Sequence, residues 1–300
     1  MSNTSEAGAE AGVMCCANCG IEGVDNVKLE ECHGCDLVKY CSDKCREEHR
    51  EQHQDECKKR VDELHVKRLF TQPDRNNLGE CPLCFLPMPL DAAKTLFMSC
   101  CGQLICDGCG TAHMMSNIHD RVKAATCAFC RTVTSDREEY EKRENERIEA
   151  NHPPSLYSMG SKHYNKGDYG AAFEYYTKAA ELGNAQAHYR LGYMHMEGEG
   201  LEKDEEKGAY HWEKAAIDGH PIARFNLGLH EGENGRLERA AKHWIIAANL
   251  GDDKSMKMLL EVYKDGYITK EEYGATLRAH QATIDATKSS QREAAEKLQK

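Results

Sequence analysis

The stretch Arg190–Gly219 reads RLGYMHMEGEGLEKDEEKGAYHWEKAAIDG. Its two segments of small and apolar residues flank a run of glycines and charges, the pattern of a helix, a turn and a second helix. The same landmarks recur on either side. Gly160, Gly192 and Gly228 follow Met159, Leu191 and Leu227; Tyr176, Trp212 and Trp244 each precede an Ala-Ala pair; Gly183, Gly219 and Gly251 close the units. From each aromatic to the next first-helix position (192, 228 and 260) is always 16 residues, whereas from each first-helix glycine to its aromatic is 16, 20 and 16. The single insertion therefore falls in EGEGLEKDEEKG, between the two helices of the second unit, where an array accepts it as a surface turn.

These spacings predict a helix–turn–helix unit of 32 to 36 residues, repeated in tandem. Ala179-Ala180, Ala215-Ala216 and Ala247-Ala248 let neighbouring helices approach, and the closing glycines supply left-handed helix ends. Because Tyr176, Trp212 and Trp244 recur at equivalent positions, they are assigned to packing between helices and not to a ligand. The segment KSMKMLLEVYKDGYITKEEYGATLRAHQ carries Leu260 where the glycine would fall and reads as a cap.

Upstream, eleven of the fifteen residues from Ser135 to Glu149 are charged with mixed sign, which reads as a solvated helical spacer ending at Pro153-Pro154. All 16 cysteines lie before it, between Cys15 and Cys130, so the chain divides into a cysteine-dense and a cysteine-free half. Over 300 residues there are 39 Lys+Arg against 50 Asp+Glu, a net charge of −11, with 40% hydrophobic and 7% aromatic residues. Such a chain is long enough for two or three modest domains and is not expected to form one large aromatic-rich core. Its acidity argues against a generic polyanion binder. No run of eighteen apolar residues occurs, so no membrane helix is expected, and MSNTSEAGAEAGVM, lacking a basic start and an apolar core, reads as a disordered tail. An intracellular location, cytoplasm or nucleus, is the expectation, and there C-x-x-C pairs are more often zinc ligands than disulfides.

The first cysteine set reads Cys16-x2-Cys19, Cys32-x2-Cys35, Tyr40-Cys41-x3-Cys45 and His53-x3-Cys57, eight ligands for two tetrahedral zincs. His53 and Cys57, four residues apart, share one side of the helix expected in CSDKCREEHREQHQDEC. His49 is a rival ligand by spacing, and Cys15 is a spare thiol. This segment resembles the MYND zinc finger, whose pattern ends in YCS-x2-C, a seven-residue gap, His, three residues and Cys. The resemblance implies interleaved sites, Cys16, Cys19, Cys41 and Cys45 at one zinc and Cys32, Cys35, His53 and Cys57 at the other, and it favours His53 over His49. Some MYND fingers bind proline-containing peptides through a glutamine and a tryptophan; those positions are Arg46 and Arg50 here, and two cations on one helix face could select an acidic peptide.

The second set is Cys81-Pro82-Leu83-Cys84, Cys100-Cys101-Gly102-Gln103-Leu104-Ile105-Cys106-x2-Cys109 and Cys127-x2-Cys130-Arg131, again eight cysteines for two zincs. The order resembles a RING finger, which implies Cys81, Cys84, Cys106 and Cys109 at one metal and Cys100, Cys101, Cys127 and Cys130 at the other. Where that family has a C-G-H step this chain has Cys101-Gly102-Gln103, and glutamine is a poor zinc ligand. Adjacent Cys100 and Cys101 can share one metal only if the backbone kinks, a demand Gly102 meets; His113 or a vacant position is the alternative. RING fingers recruit a ubiquitin-conjugating enzyme. Carried over by position, Leu83 fills the place of the apolar contact residue and Arg131 that of the arginine that bridges to ubiquitin. The proline usual between the last two cysteines is Ala128. The helical half resembles Sel-1-like repeats, relatives of the tetratricopeptide class whose curved face holds other proteins.

The expected organisation is a tail (1–14), a MYND finger (15–58), a linker (59–79), a RING finger (80–132), a charged spacer (133–152), helical repeats with a cap (153–285) and a polar tail (286–300). The fold class is thus small zinc-stabilised fingers followed by an all-α repeat solenoid, with four Zn2+ ions per chain. No nucleophile triad, phosphate-binding loop or HExxH helix is present, so no residue is assigned a catalytic role. Cys16–Cys57 holds 5 basic against 11 acidic side chains, which excludes nucleic acid as its partner. Two functions remain: a scaffold whose RING finger recruits ubiquitin-transfer machinery to a client held by the repeats, and a non-catalytic adaptor in which every module docks.

Overall fold

The computed structural model describes residues 16–18, 28–33, 35–117, 126–133 and 136–298. It separates into two units, Met1–Leu69 and Phe70–Lys300. The expected N-terminal tail, Cys15 and Cys19 lie outside the described residues.

In the first unit, β1 (Glu30–Glu31) and β2 (Lys39–Tyr40) pair antiparallel, with Glu30 opposite Tyr40 and Glu31 opposite Lys39. Ser42 caps α1 (Asp43–Glu48) by accepting from the Cys45 N–H, and α2 (Arg50–Leu69) follows. The second helix runs well beyond Cys57 into residues read from sequence as linker. It is tied down by Arg60, whose guanidinium grips Asp36 at 2.6 and 2.8 Å. The basic run Lys58-Lys59-Arg60 thus has its arginine committed to an acid of its own unit.

The second unit starts with the cysteine finger. Strands β3 (Thr95–Met98) and β4 (Gln103–Cys106) form a hairpin registered Met98 to Gln103, and α3 (Asp107–Ser116) leaves its end. Helix α4 (Arg137–Glu149) leads into the array: α5 (Pro153–Asn165), α6 (Tyr169–Glu181), α7 (Ala185–Glu197), α8 (Glu205–Ile217), α9 (Pro221–Glu233), α10 (Leu237–Asn249), α11 (Asp253–Lys264) and α12 (Lys270–Ala286). A last helix, α13 (Ser290–Leu298), completes it.

Residue chemistry explains the array. Asp168, Asn184, Asp204, His220 and Asp252 cap α6, α7, α8, α9 and α11 through their side chains, whereas α10 starts at Arg236 without a side-chain cap. Gly183, Gly219 and Gly251 take φ of 80°, 81° and 101°, the left-handed ends the sequence requires. The insertion sits between α7 and α8. Tyr176, Trp212 and Trp244 are buried, each lying over the glycine of its preceding helix.

Two segments differ from their sequence reading. The charged spacer is no solvated rod: Glu144 is buried and bound by Lys162 at 2.6 Å, and Tyr140 accepts a hydrogen bond from Ser99 of the finger at 2.8 Å. Residues 290–298, read as part of a polar tail, form a helix that packs on α3. In both, a few charged or aromatic side chains find distant partners that periodicity does not reveal. Among the described residues, no helix is long and apolar enough to cross a membrane.

Candidate metal centres

Among the described residues, three groups of four ligand atoms, and one of three, each lie within 4.8 Å of one another. In the first unit, Cys32 and Cys35 meet His53 and Cys57 of α2. Cys35 Sγ stands 3.2 Å from His53 Nε2, and Cys32 Sγ 3.7 Å from Cys57 Sγ. The rival His49 stays out of this group; its Nδ1 meets the Tyr40 hydroxyl at 3.1 Å and its ring stacks on His53. Cys16, Cys41 and Cys45 gather separately, with Cys41 and Cys45 Sγ 3.6 Å apart. Their expected fourth partner, Cys19, is outside the described residues.

The second unit crosses its cysteines over. Cys81 and Cys84 join Cys106 and Cys109, while Cys100 and Cys101 join Cys127 and Cys130. Two eight-residue turns of the same design carry the outer pairs. Glu80 bridges Pro87 and Thr126 bridges Val133; Phe85 N–H donates to Cys81 O at 2.8 Å and Arg131 N–H to Cys127 O at 3.0 Å. Phe85 and Arg131 both adopt left-handed φ, 58° and 65°, directly after the second cysteine of each turn. The paired cysteines are accommodated by the β3–β4 turn: Cys101 and Gly102 N–H both reach Met98 O, at 3.0 and 2.7 Å, and Gly102 takes φ 68°. A Cβ there would also stand 2.4 Å from the His152 ring, so only glycine fits. His113 takes no part in the group; it meets Thr126 and Arg131 instead.

The donor set fits zinc. Tetrahedral thiolates at about 2.3 Å from a metal stand about 3.8 Å apart, against about 2.05 Å for a disulfide. Here Cys84–Cys106 and Cys101–Cys127 are both 3.8 Å apart and Cys100–Cys130 3.5 Å. Without a cation the thiols oppose one another's ionisation. Burial, then hydrogen bonds from Cys32 and Cys35, push Cys57 up to about 12, and burial drives Cys100 and Cys109 upward. Against its own burial, N–H donors from Cys106, Leu83 and Cys84 bring Cys81 down to about 7. A divalent cation removes the conflict by letting every sulfur of a group ionise.

The remaining sequence candidates are placed as follows. Leu83 is half-buried against a cluster that includes Met88, Ile105 and Ala128. Arg131 is exposed, and its guanidinium donates to His113 Nδ1 at 2.8 Å. Gln103 lines a groove of about 620 Å³ with His152 and with Tyr157 and Gln186 of the first two repeats. Arg46 is already neutralised by Asp43 and by Glu30, the latter at 3.2 Å, and with Arg50 it lines a cleft of about 680 Å³.

Comparison with known proteins identifies two of these modules. Residues 16–57 match the MYND finger, and residues 153–184, 185–220 and 221–252 match the Sel1 repeat. The chain therefore carries a MYND finger and three Sel1 repeats, modules of protein interaction. Among solved structures it is similar to a Sel1 repeat protein from Oxalobacter formigenes (24% identity, TM-score 0.40, 50% of this chain and 64% of that one). It is also similar to an immunity protein from Pseudomonas aeruginosa (18% identity, TM-score 0.38, 50% and 62%). The chain thus spans less than two thirds of each of these structures. No curated protein matches it.

Proposed function

We propose that residues 80–132 are a RING-type finger that binds two zinc ions and recruits a charged ubiquitin-conjugating enzyme, while the Sel1 repeats hold the protein to be modified. The observation that carries this reading is the crossed arrangement of the two four-cysteine groups. It puts the Leu83 turn and the Arg131 turn on equivalent supports, with Leu83 and Ala128 in one apolar cluster. Such a finger needs no nucleophile, because it acts by holding the conjugate in a reactive posture. The MYND finger adds a second docking surface, and the cleft lined by Arg46, Arg50 and Lys58 takes a peptide with acidic side chains, to which Arg46 contributes only by giving up Asp43 and Glu30.

The adaptor reading is favoured by one observation. Arg131 is held by His113 within the finger, so its reach toward ubiquitin needs that bond to break. Discharge of ubiquitin from a panel of charged conjugating enzymes separates the two. Stimulation by the wild-type chain that is lost in Leu83→Ala and Arg131→Ala is the expected result. A fully metallated chain that stimulates none of the panel is an adaptor.

A further inference from the structure

The finger is not closed by its own residues. Arg292, on α13, is buried although it is an arginine, and it points at the Cys81/Cys84/Cys106/Cys109 group from 208 positions beyond Cys84 in the chain. One of its nitrogens, Nη2, donates to Cys84 Sγ at 3.5 Å and to Leu86 O at 3.4 Å. The other, Nη1, donates to Pro87 O at 2.8 Å and to Thr287 O at 2.6 Å. Three carbonyls thus hold the fork, and the thiol is what it is held against.

Two further features fit the helix to this place. Gly108, at the start of α3, has no room for a side chain: a Cβ would stand 2.8 to 2.9 Å from Arg292 atoms, two of them backbone. Lys94 of the finger pairs with Glu296 at 2.7 Å, and Ala295 is buried. The neighbouring group shows the same device from the other flank, where the Arg147 guanidinium of α4 donates twice to Cys100 O, at 3.2 and 3.1 Å.

We infer that α13 is part of the first finger metal site, with Arg292 as the outer-sphere hydrogen-bond donor that retains its zinc. This rests on the reading of that cysteine group as a zinc site. Four thiolates around one Zn2+ carry a net charge of −2, and in a buried site that charge is stabilised by N–H donors and a nearby cation. Arg292 supplies both. Zinc retention in the finger then depends on the docking of a helix that lies beyond the repeats.

The full-length chain tests this through release of zinc to a chromogenic chelator and cadmium NMR of the metal-exchanged protein, with Cys84→Ser assigning the site. Arg292→Met keeps the buried stem and removes the donors. It is expected to release one zinc about 10 to 100-fold faster than wild type and to move the resonance of that one site. Gly108→Ala, which displaces α13, should do the same, while Lys297→Ala should not. Wild-type release rates and resonances in both Arg292→Met and Gly108→Ala overturn the inference. So does faster release accompanied by melting of the repeat helices in circular dichroism, which would mark a general packing role. If wild type holds no Cys84-dependent metal at all, it is the zinc reading of the group that fails.

Discussion

Gly192 lies under the indole of Trp212 so closely that a Cβ built on the glycine would stand 2.3 Å from Trp212 Cδ1. Gly228 and Trp244 repeat the relationship at 2.3 Å, and Gly160 and Tyr176 at 2.7 Å. Gly192→Ala is therefore expected to destabilise the array by about 1 to 3 kcal/mol, the usual cost of overpacking a closed core. Gly170→Ala, at a helical glycine with open space around it, is expected to stabilise by about 0.5 to 1 kcal/mol. Thermal unfolding of the two variants gives the comparison directly.

The repeats should be acid-labile. Burial, then the neighbouring His188 and His195, holds His211 down to about 4; burial with nearby Arg190 holds His220, and burial with Arg224 and Arg239 holds His243, each to about 3. His220 must also stay neutral to cap α9, because its Nδ1 accepts from the Ala223 N–H. Each folded-state value lies below that of the unfolded chain, so at neutral pH these groups bind no extra proton in either state. As pH falls below about 6.5 the unfolded chain takes up protons that the folded one refuses, and stability drops until the folded values are reached. Denaturant midpoints at pH 7 and pH 5 measure the loss, and His220→Asn, which keeps a capping side chain, should shrink it.

Gly102→Ala should cost one metal ion. The substitution forces an L-residue to φ 68° and drives a methyl into His152, so Cys100 and Cys101 can no longer face the same point. A metal assay showing one zinc fewer than wild type, with near-wild-type repeat helicity, is the expected outcome.

Breaking the other finger site should also leave the array standing. Among the described residues, the apolar clusters around Tyr176 and around Trp244 contain no cysteine. Cys106→Ser is expected to unfold the finger and retain most of the helical circular dichroism. Loss of the whole signal would mean that finger and array fold as one.

Much of this organisation is legible in the sequence because its determinants are periodic or paired. The glycine and aromatic landmarks are spaced by the geometry of two packed helices, and Cys-x2-Cys pairs are spaced by the turn that presents two sulfurs to one point. What escapes is carried by single charged side chains with distant carbonyl partners. Arg147 sits in a stretch whose composition says solvent, yet its donors close on Cys100 O. Arg292 sits in a polar tail by composition and is one of the buried residues of the molecule. Nothing in a local pattern distinguishes such an arginine from its exposed neighbours. The extension of α2 to Leu69 was hidden in the same way, since its surface is charged on most sides.

The central claim is that two interleaved two-metal fingers precede the repeats, and the count of bound metal tests it most directly. Native mass spectrometry of the full chain, purified without chelator, should show four zinc ions, falling to three in Cys100→Ser. Two zinc ions in the wild type, unchanged by Cys100→Ser and by Cys84→Ser, would leave the MYND finger standing and contradict the second finger.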